Sequence, residues 1–361
     1  MSAPEGPRQE RLLAVLADRG IDALLVTEAA NVRYLTGYVG SNGIAVIGPR
    51  GRVLLTDSRY AVSAREQVRG AEVVIGTRDL LKDVAERLAA VADGGVIAVE
   101  AEDLTLARHA RIVELLGGAD TRPTRGLVED LRQIKDPAEV AAMRRAAAAV
   151  DRALATVLAA GIVGRTEREV AFALHDAMVQ EGATEPSFAT IVASGPRGAR
   201  PHHVPGADPI PVDTLVVIDL GAVVDGYCSD MTRTVATGPL PPRLQEIYAV
   251  CLAAQEKAVA AARGGITGAE LDAVARAHIA EAGYGEHFGH GLGHGVGLVI
   301  HERPGVRPEA PEMLKTGMAI TIEPGIYLEG EGGVRIEDLL VLTEGGHEVL
   351  SSSPKHLMIV D

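Results

Sequence analysis

Two apolar runs, LVVIDLGAVV and YCSDMTRTVAT, flank Asp225-Gly226 and carry Asp219 and Asp230. Asp-Gly between alternating runs is a strong two-residue hairpin signal. A turn there pairs Val224 with Tyr227, so paired residue numbers sum to 451. Asp219 then faces Thr232 and Asp230 faces Gly221, and strand alternation puts all four on one face. The aspartates become diagonal neighbours, roughly 7 Å apart at the backbone, and Gly221 is expected to leave open space beside Asp230. Two carboxylates so placed repel each other. A shared proton, an arginine such as Arg233 or Arg335, or a metal could each compensate them, and the hairpin alone does not choose.

Further along, HFGHGLGHGVGLVIHE sets His287, His290, His294 and His301 among five glycines, four of the eleven histidines in the chain. Glycine at this density is poor helix and lets backbone approach a ligand closely. Glu323 ends the apolar run MAITIE before Pro324-Gly325, and in GVRIED alternation puts Glu337 on the side of Arg335. Together, Asp219, Asp230, Glu323 and Glu337 supply four negative charges, which match two divalent cations, and at least one imidazole joins them. Oxygen-rich coordination with one imidazole suits Mn²⁺, with Co²⁺, Fe²⁺ and Zn²⁺ also compatible. Paired divalent ions activate water and polarise a substrate oxygen, so the chemistry implied is metal-assisted hydrolysis.

The elements that must position these groups fall into two expected domains, 1–130 and 131–361. RQERLLAVLADR reads as an amphipathic helix stopped by Gly20, followed by the strands IDALLVT, GIAVIG and VLLTD. Strand-helix alternation continues to about residue 130 and predicts an α/β domain. Asp136-Pro137, an N-cap with proline at the first helical position, opens a long alanine-rich helix. The second domain carries a faint internal repeat. Gly161-Ile162-Val163-Gly164 recurs as Gly265-Ile266-Thr267-Gly268, a shift of 104. That shift matches Val170, Ala171 and Ala173 with Val274, Ala275 and Ala277, and lays VIDLG at 217–221 over TIEPG at 321–325. Two related half-domains are expected, with an acidic strand end from each at a shared centre.

The chain has 361 residues, 47% of them hydrophobic but only 3% aromatic, with no Trp, so its cores must be aliphatic. A net charge of −14 and the lack of a basic stripe argue against nucleic-acid binding. Cys228 and Cys251 allow no more than one bridge. The polar opening MSAPEGPRQE has no apolar core of a signal peptide, and no run approaches the ~20 apolar residues of a membrane helix. A cytoplasmic, reducing location is the expectation.

The segments VVIDLGAVVDGYCSDMTRT, FGHGLGHGVGLVIHE, TIEPGIY and GGVRIED, in this order and spacing, resemble the pita-bread metallopeptidases, which include aminopeptidase P, prolidase, methionine aminopeptidase and the metal-free creatinase. NVRYLTGYVGSNG and LLTDSRY resemble the creatinase-type N-terminal domain and favour the aminopeptidase P/prolidase branch. The resemblance implies a creatinase-like α/β domain followed by an α+β pita-bread catalytic domain with an internal pseudo-two-fold. It implies Asp219, Asp230, His294, Glu323 and Glu337 as ligands of two metal ions, with Asp230 and Glu337 bridging and Glu323 also acting as general base. His202 is placed on the leaving-group side, and His290 and His301 along the substrate. Tyr327 and Arg335 stand behind the metal glutamates; His203 and His287 have no counterpart and read as surface or structural.

The substrates implied are short peptides with proline second and a free N-terminus, and the family expectation is a homodimer. Gly305 stands where dipeptide-specific prolidases often carry arginine, so Arg303 or Arg307 must substitute, or longer peptides are taken. The expectation leans slightly to an Xaa-Pro dipeptidase, with an Xaa-Pro aminopeptidase as alternative. A non-catalytic binding module or a creatinase-like amidinohydrolase would require ligands to have been lost, and all five are present.

Overall fold

A computed structural model describes residues 4–92 and 95–361, which divide into two units, Met1–Arg132 and Gln133–Asp361. In the first, a six-stranded mixed sheet runs in the spatial order Glu72–Gly76, Gly51–Asp57, Gly43–Gly48, Ala23–Val26, Ile97–Glu100, Thr121–Thr124. Its inner strands are buried runs, as the continuous apolar segments predict. The helix Glu5–Asp18 ends before Gly20, whose φ of 61° suits a residue without Cβ.

The second unit opens with the helix Pro137–Ala159, capped by Asp136 in a full capping box with Pro137 at its start. Two half-domains follow the same plan. Helix Glu167–Gln180 precedes strands Ile191–Ser194, Leu215–Leu220 and Met231–Ala236, and helix Gly268–Glu281 precedes Gly293–Gly295, Ala319–Ile322 and Asp338–Thr343. Each half has its own aliphatic core.

The repeat is present, but its helices obey a different shift. Thr166 and Thr267 are equivalent N-caps, each in a capping box, with Glu169 and Glu270. Val170, Leu174 and Met178 face the first core as Leu271, Ala275 and Ile279 face the second, a shift of 101. The glycine loop before each helix obeys 101 as well, so the match of Gly161–Gly164 with Gly265–Gly268 is out of step, while the segments beyond keep 104: Gly164 N–H donates to the Ile210 carbonyl as Gly265 N–H does to Leu314, both at 2.9 Å. A difference of three residues accumulates between helix and strand. The matched Val274, Ala275 and Ala277 are therefore a coincidence of alanine-rich composition, whereas Asp219 over Glu323 is structural.

Cys228 and Cys251 are both buried and are not bonded to each other. Among the described residues no helix is long and apolar enough to cross a membrane.

Candidate metal centre

Strand Met231–Ala236 pairs with Leu215–Leu220 in the predicted register, with Thr232 opposite Asp219. Val224 pairs with Tyr227 across the turn, where Asp225 and Gly226 both have positive φ, as a primed turn demands. Gly221 differs from expectation. A Cβ there would stand 2.1 Å from both Ser187 Oγ and the Ser229 carbonyl. The space beside Asp230 is filled, and Gly221 serves close packing of backbone.

The second half brings its own pair. Glu323 follows strand Ala319–Ile322, and Glu337 immediately precedes Asp338–Thr343. The halves are joined at the centre by the Glu337 N–H donating to the Thr232 carbonyl at 3.1 Å, and by Thr234 Oγ1 donating to the Arg335 carbonyl at 2.9 Å. Carboxylate oxygens of Asp219, Asp230 and Glu337 lie within 4.8 Å of one another.

One cation enters this cluster. Arg335 donates from Nη2 to Asp219 Oδ2 at 2.7 Å, from Nε to Thr232 Oγ1 at 3.1 Å, and from Nη1 to the Tyr327 hydroxyl at 2.9 Å. Arg233, the other candidate partner, faces away, to Asp338 and the Glu337, Ser353 and Pro354 carbonyls. Its alternation relative to Thr232 dictates this.

The residues present fit divalent metal. Asp219 Oδ1 and Glu337 Oε1 are buried with no hydrogen-bond partner. Burial first, and then Glu337, Asp219 and Glu323, push Asp230 well above the usual carboxylate range. Glu337 is raised in the same way by burial, then Glu323 and Asp219. Glu323 is pushed up to about 8, by burial and by Asp219, against the pull of Arg335. His294 Nδ1 lies 2.9 Å from the Gly295 carbonyl, which can only accept, so Nδ1 holds the proton. Burial depresses this imidazole to about 4, which keeps it neutral at pH 7. Its Nε2 lone pair then faces Glu323 Oε1 at 3.4 Å and Asp230 Oδ2 at 3.5 Å. Neither contact is a hydrogen bond, and an imidazole lone pair turned into a group of crowded carboxyl oxygens is the arrangement of a metal ligand set, while an N–H to a backbone carbonyl is how a ligating histidine is commonly oriented.

These side chains open on a cavity of about 500 Å³, which His202, His290, His301 and Arg307 also line. His301 stands edge-on to His294, ring centres 4.4 Å apart. Tyr327 acts from behind: its hydroxyl links Arg335 to His290 Nε2 at 2.8 Å. Among the described residues lining the cavity is Arg307 but not Arg303. His203, expected at the surface or in a structural role, is structural. Its Nε2 bonds Glu167 Oε2 at 2.8 Å, and its ring borders the cavity. His287 lies against Tyr284, ring centres 6.2 Å apart.

Residues 141–344 match the profile of metallopeptidase family M24, and residues 8–134 that of the creatinase/prolidase N-terminal domain. The chain belongs to metallopeptidase family M24. The solved structure of an Xaa-Pro dipeptidase from Bacillus anthracis is 40% identical, with a TM-score of 0.95 covering 99% of this chain and 100% of that one. An X-Pro aminopeptidase from Thermotoga maritima MSB8 is 37% identical with a TM-score of 0.90, covering 98% and 100%. An Xaa-Pro dipeptidase of Pyrococcus furiosus is 36% identical over 353 residues, 97% of this chain and 99% of that protein. This M24 enzyme thus has, in chain order, a creatinase-type domain and then the pita-bread catalytic fold, and is a metal-dependent, prolidase-like peptidase.

Sequence reasoning missed two buried groups around the site, Glu167 and Asp272. Asp272-x-x-x-Arg276 is visible as an i, i+4 ion pair. For Glu167 the sequence carries no comparable signal, because its partners all lie in a distant loop.

Proposed function

We propose that this M24 enzyme hydrolyses the peptide bond preceding proline in short peptides with a free N-terminus, using two divalent ions held by Asp219, Asp230, His294, Glu323 and Glu337. The observation that carries the metal reading is the neutral His294 lone pair turned toward carboxylates whose neighbours Asp219 Oδ1 and Glu337 Oε1 have no partner. When bound, the ions supply Lewis acidity toward the scissile carbonyl and lower the pKa of water to the working range. Mn²⁺ best suits the donor set, with Co²⁺, Zn²⁺ and Fe²⁺ compatible.

The chain's own residues divide the remaining work. Glu323 Oε1 takes the proton of the attacking water and delivers it to the departing proline nitrogen, with His202 on the leaving-group side. His301 and His290 border the cavity on the substrate side; His301 stabilises charge that develops on the carbonyl oxygen, and His290, with both ring nitrogens engaged, lines the substrate. Neutral His290 donates Nδ1–H to the Gly291 carbonyl at 2.8 Å, so its Nε2 accepts from Tyr327, which accepts in turn from Arg335. That relay fixes the ring orientation.

The dipeptidase preference rests on Arg307. A Cβ on Gly305 would stand 3.6 Å from Arg307 Nε, in ordinary contact, so the Arg307 side chain runs beside the place of a side chain at 305. It lines the cavity, and in this reading it pairs with the C-terminal carboxylate of Xaa-Pro. Homodimeric assembly and a cytoplasmic location complete the reading. Incubating the Mn²⁺-loaded enzyme with Ala-Pro and with a longer Xaa-Pro-Yaa peptide tests it. Release of alanine from Ala-Pro in preference supports a dipeptidase, preferential cleavage of the longer peptide an aminopeptidase, and no cleavage of either contradicts the proposal.

A further inference from the structure

The segment between helix Gly268–Glu281 and strand Gly293–Gly295 is largely irregular, with one short 3-10 turn at Gly285–His287. Its backbone polar groups therefore need partners outside regular structure. Around His290 those partners are two side chains of the preceding helix. Arg276 donates from Nη1 to the Phe288 carbonyl at 2.9 Å and from Nη2 to the His290 carbonyl at 2.8 Å. Asp272, only 1% exposed, accepts the Leu292 N–H at 3.0 Å on Oδ1. The two are locked together by Arg276 Nε to Asp272 Oδ2 at 2.7 Å and Nη2 to Oδ1 at 2.9 Å, the bidentate geometry of a strong ion pair.

The grip reaches the reacting groups by two short routes. The Arg276 guanidinium lies 4.2 Å over the Phe288 ring, and that ring stands edge-on to His290 at 5.1 Å. Leu292, held through its N–H by Asp272, accepts the Glu323 N–H on its carbonyl at 2.8 Å. One ion pair thus fixes the backbone on both sides of a cavity histidine and abuts the residue proposed as base.

The first half-domain has a comparable device from a different helical position. Glu167, in the first turn of its helix, accepts the N–H groups of Ser194 and Gly206 and is joined by Arg197 and His203. That loop carries His202. Under the shift of 101, Glu167 corresponds to Gly268 and not to Asp272, so the repeat alone does not account for either.

We propose that Asp272 and Arg276 are a positioning pair for the proposed reaction, setting where His290 and Glu323 stand relative to the cavity. A lysine at 276 keeps the charge facing Asp272 but cannot span both carbonyls with one planar fork. It therefore separates holding the fold together from placing His290.

The test uses the full-length protein with Arg276→Lys and Asp272→Asn, and its kinetic arm rests on the peptidase reading above. In the Mn²⁺-loaded enzyme, Arg276→Lys is expected to lower kcat on Ala-Pro by about 10- to 100-fold with KM within about threefold, the range that loss of a positioned group produces. Its Tm should stay within a few degrees of the parent. In the metal-free protein, the Leu292 amide should exchange faster and the His290 ring ¹⁵N shifts should move. Unchanged kcat in a folded Arg276→Lys variant overturns the proposal, as does a fall confined to Tm. If Asp272→Asn does not fold, Arg276→Lys alone decides. If the parent cleaves no Xaa-Pro peptide, the peptidase reading fails by itself, and unchanged exchange and ring shifts in Arg276→Lys then overturn the positioning pair separately.

Discussion

Arg335 holds Asp219 by one oxygen only: Nη2 meets Oδ2 at 2.7 Å, and Oδ1 is left buried without a partner. A single guanidinium thus offsets part of the charge of four converging carboxylates. The rest must be carried by protons or by metal, and this governs how the protein responds to pH and chelators.

Metal-free protein should lose stability as pH rises. Acids held above their unfolded values bind more protons folded than unfolded, so the stability they permit at low pH is lost as pH climbs from about 4.5 toward 8, the range set by Glu323. Asp230 and Glu337 act in the same direction. Mn²⁺ should reverse the loss, adding about 2.7 kcal/mol at a hundredfold excess over Kd, and more at pH 8 than at pH 6 because ligands must be deprotonated. Thermal melts with EDTA or Mn²⁺ across that range check this, with activity lost in EDTA and restored by Mn²⁺.

Glu323→Gln should reduce turnover by about 10²- to 10⁴-fold, the contribution of a positioned general base, while the protein remains folded. In metal-free form at pH 8 the variant should melt higher than the parent, since one repelling carboxylate is gone. Steady-state kinetics on Ala-Pro and paired melts measure both, and near-normal turnover would refute the base assignment.

Arg307→Ala should raise KM for Ala-Pro by roughly 10- to 100-fold, as expected for a charge-assisted hydrogen bond of about 1.5–3 kcal/mol. A longer Xaa-Pro-Yaa peptide, whose carboxylate lies elsewhere, should be affected much less. Equal effects on both substrates would remove Arg307 from carboxylate recognition. Arg303→Ala, at a residue that does not line the cavity, should leave both constants close to the parent values.

Glu167 contributes stability with the opposite pH sign. Burial would raise it, but the Ser194 N–H, His203, Arg197 and the Gly206 N–H outweigh that and hold it at about 2. A depressed acid adds stability that is complete above about pH 4.5 and is lost as pH falls toward 2. Glu167→Gln should therefore destabilise by about 1–3 kcal/mol at neutral pH, with the difference from the parent shrinking as pH falls through that window. Urea melts at pH 7 and pH 3.5 give the comparison.

Much of the site was legible because it lies on strands of period two. The Asp225-Gly226 turn fixed the register that sets Asp219 opposite Thr232, and alternation correctly put Glu337 with Arg335. Alternation equally predicts that Arg233 turns away from the aspartates, a step the charge argument passed over. The repeat was visible where a functional carboxylate constrains it, at Asp219 and Glu323, and misread in the helices, where alanines match at any shift. Gly221 reads as open space beside Asp230 because a sequence does not show that Ser187 packs there. Glu167 and Asp272 escaped for a related reason: the N–H groups of Ser194, Gly206 and Leu292 that they hold are loop backbone, which has no residue-type signature.

The most direct measurement is a crystal of the protein grown with Mn²⁺, with anomalous scattering recorded to locate the ions. Two peaks are predicted, enclosed by Asp219, Asp230, His294, Glu323 and Glu337. A map with no peak there, in which His294 Nε2 lies at hydrogen-bond distance from a carboxylate, would contradict the account.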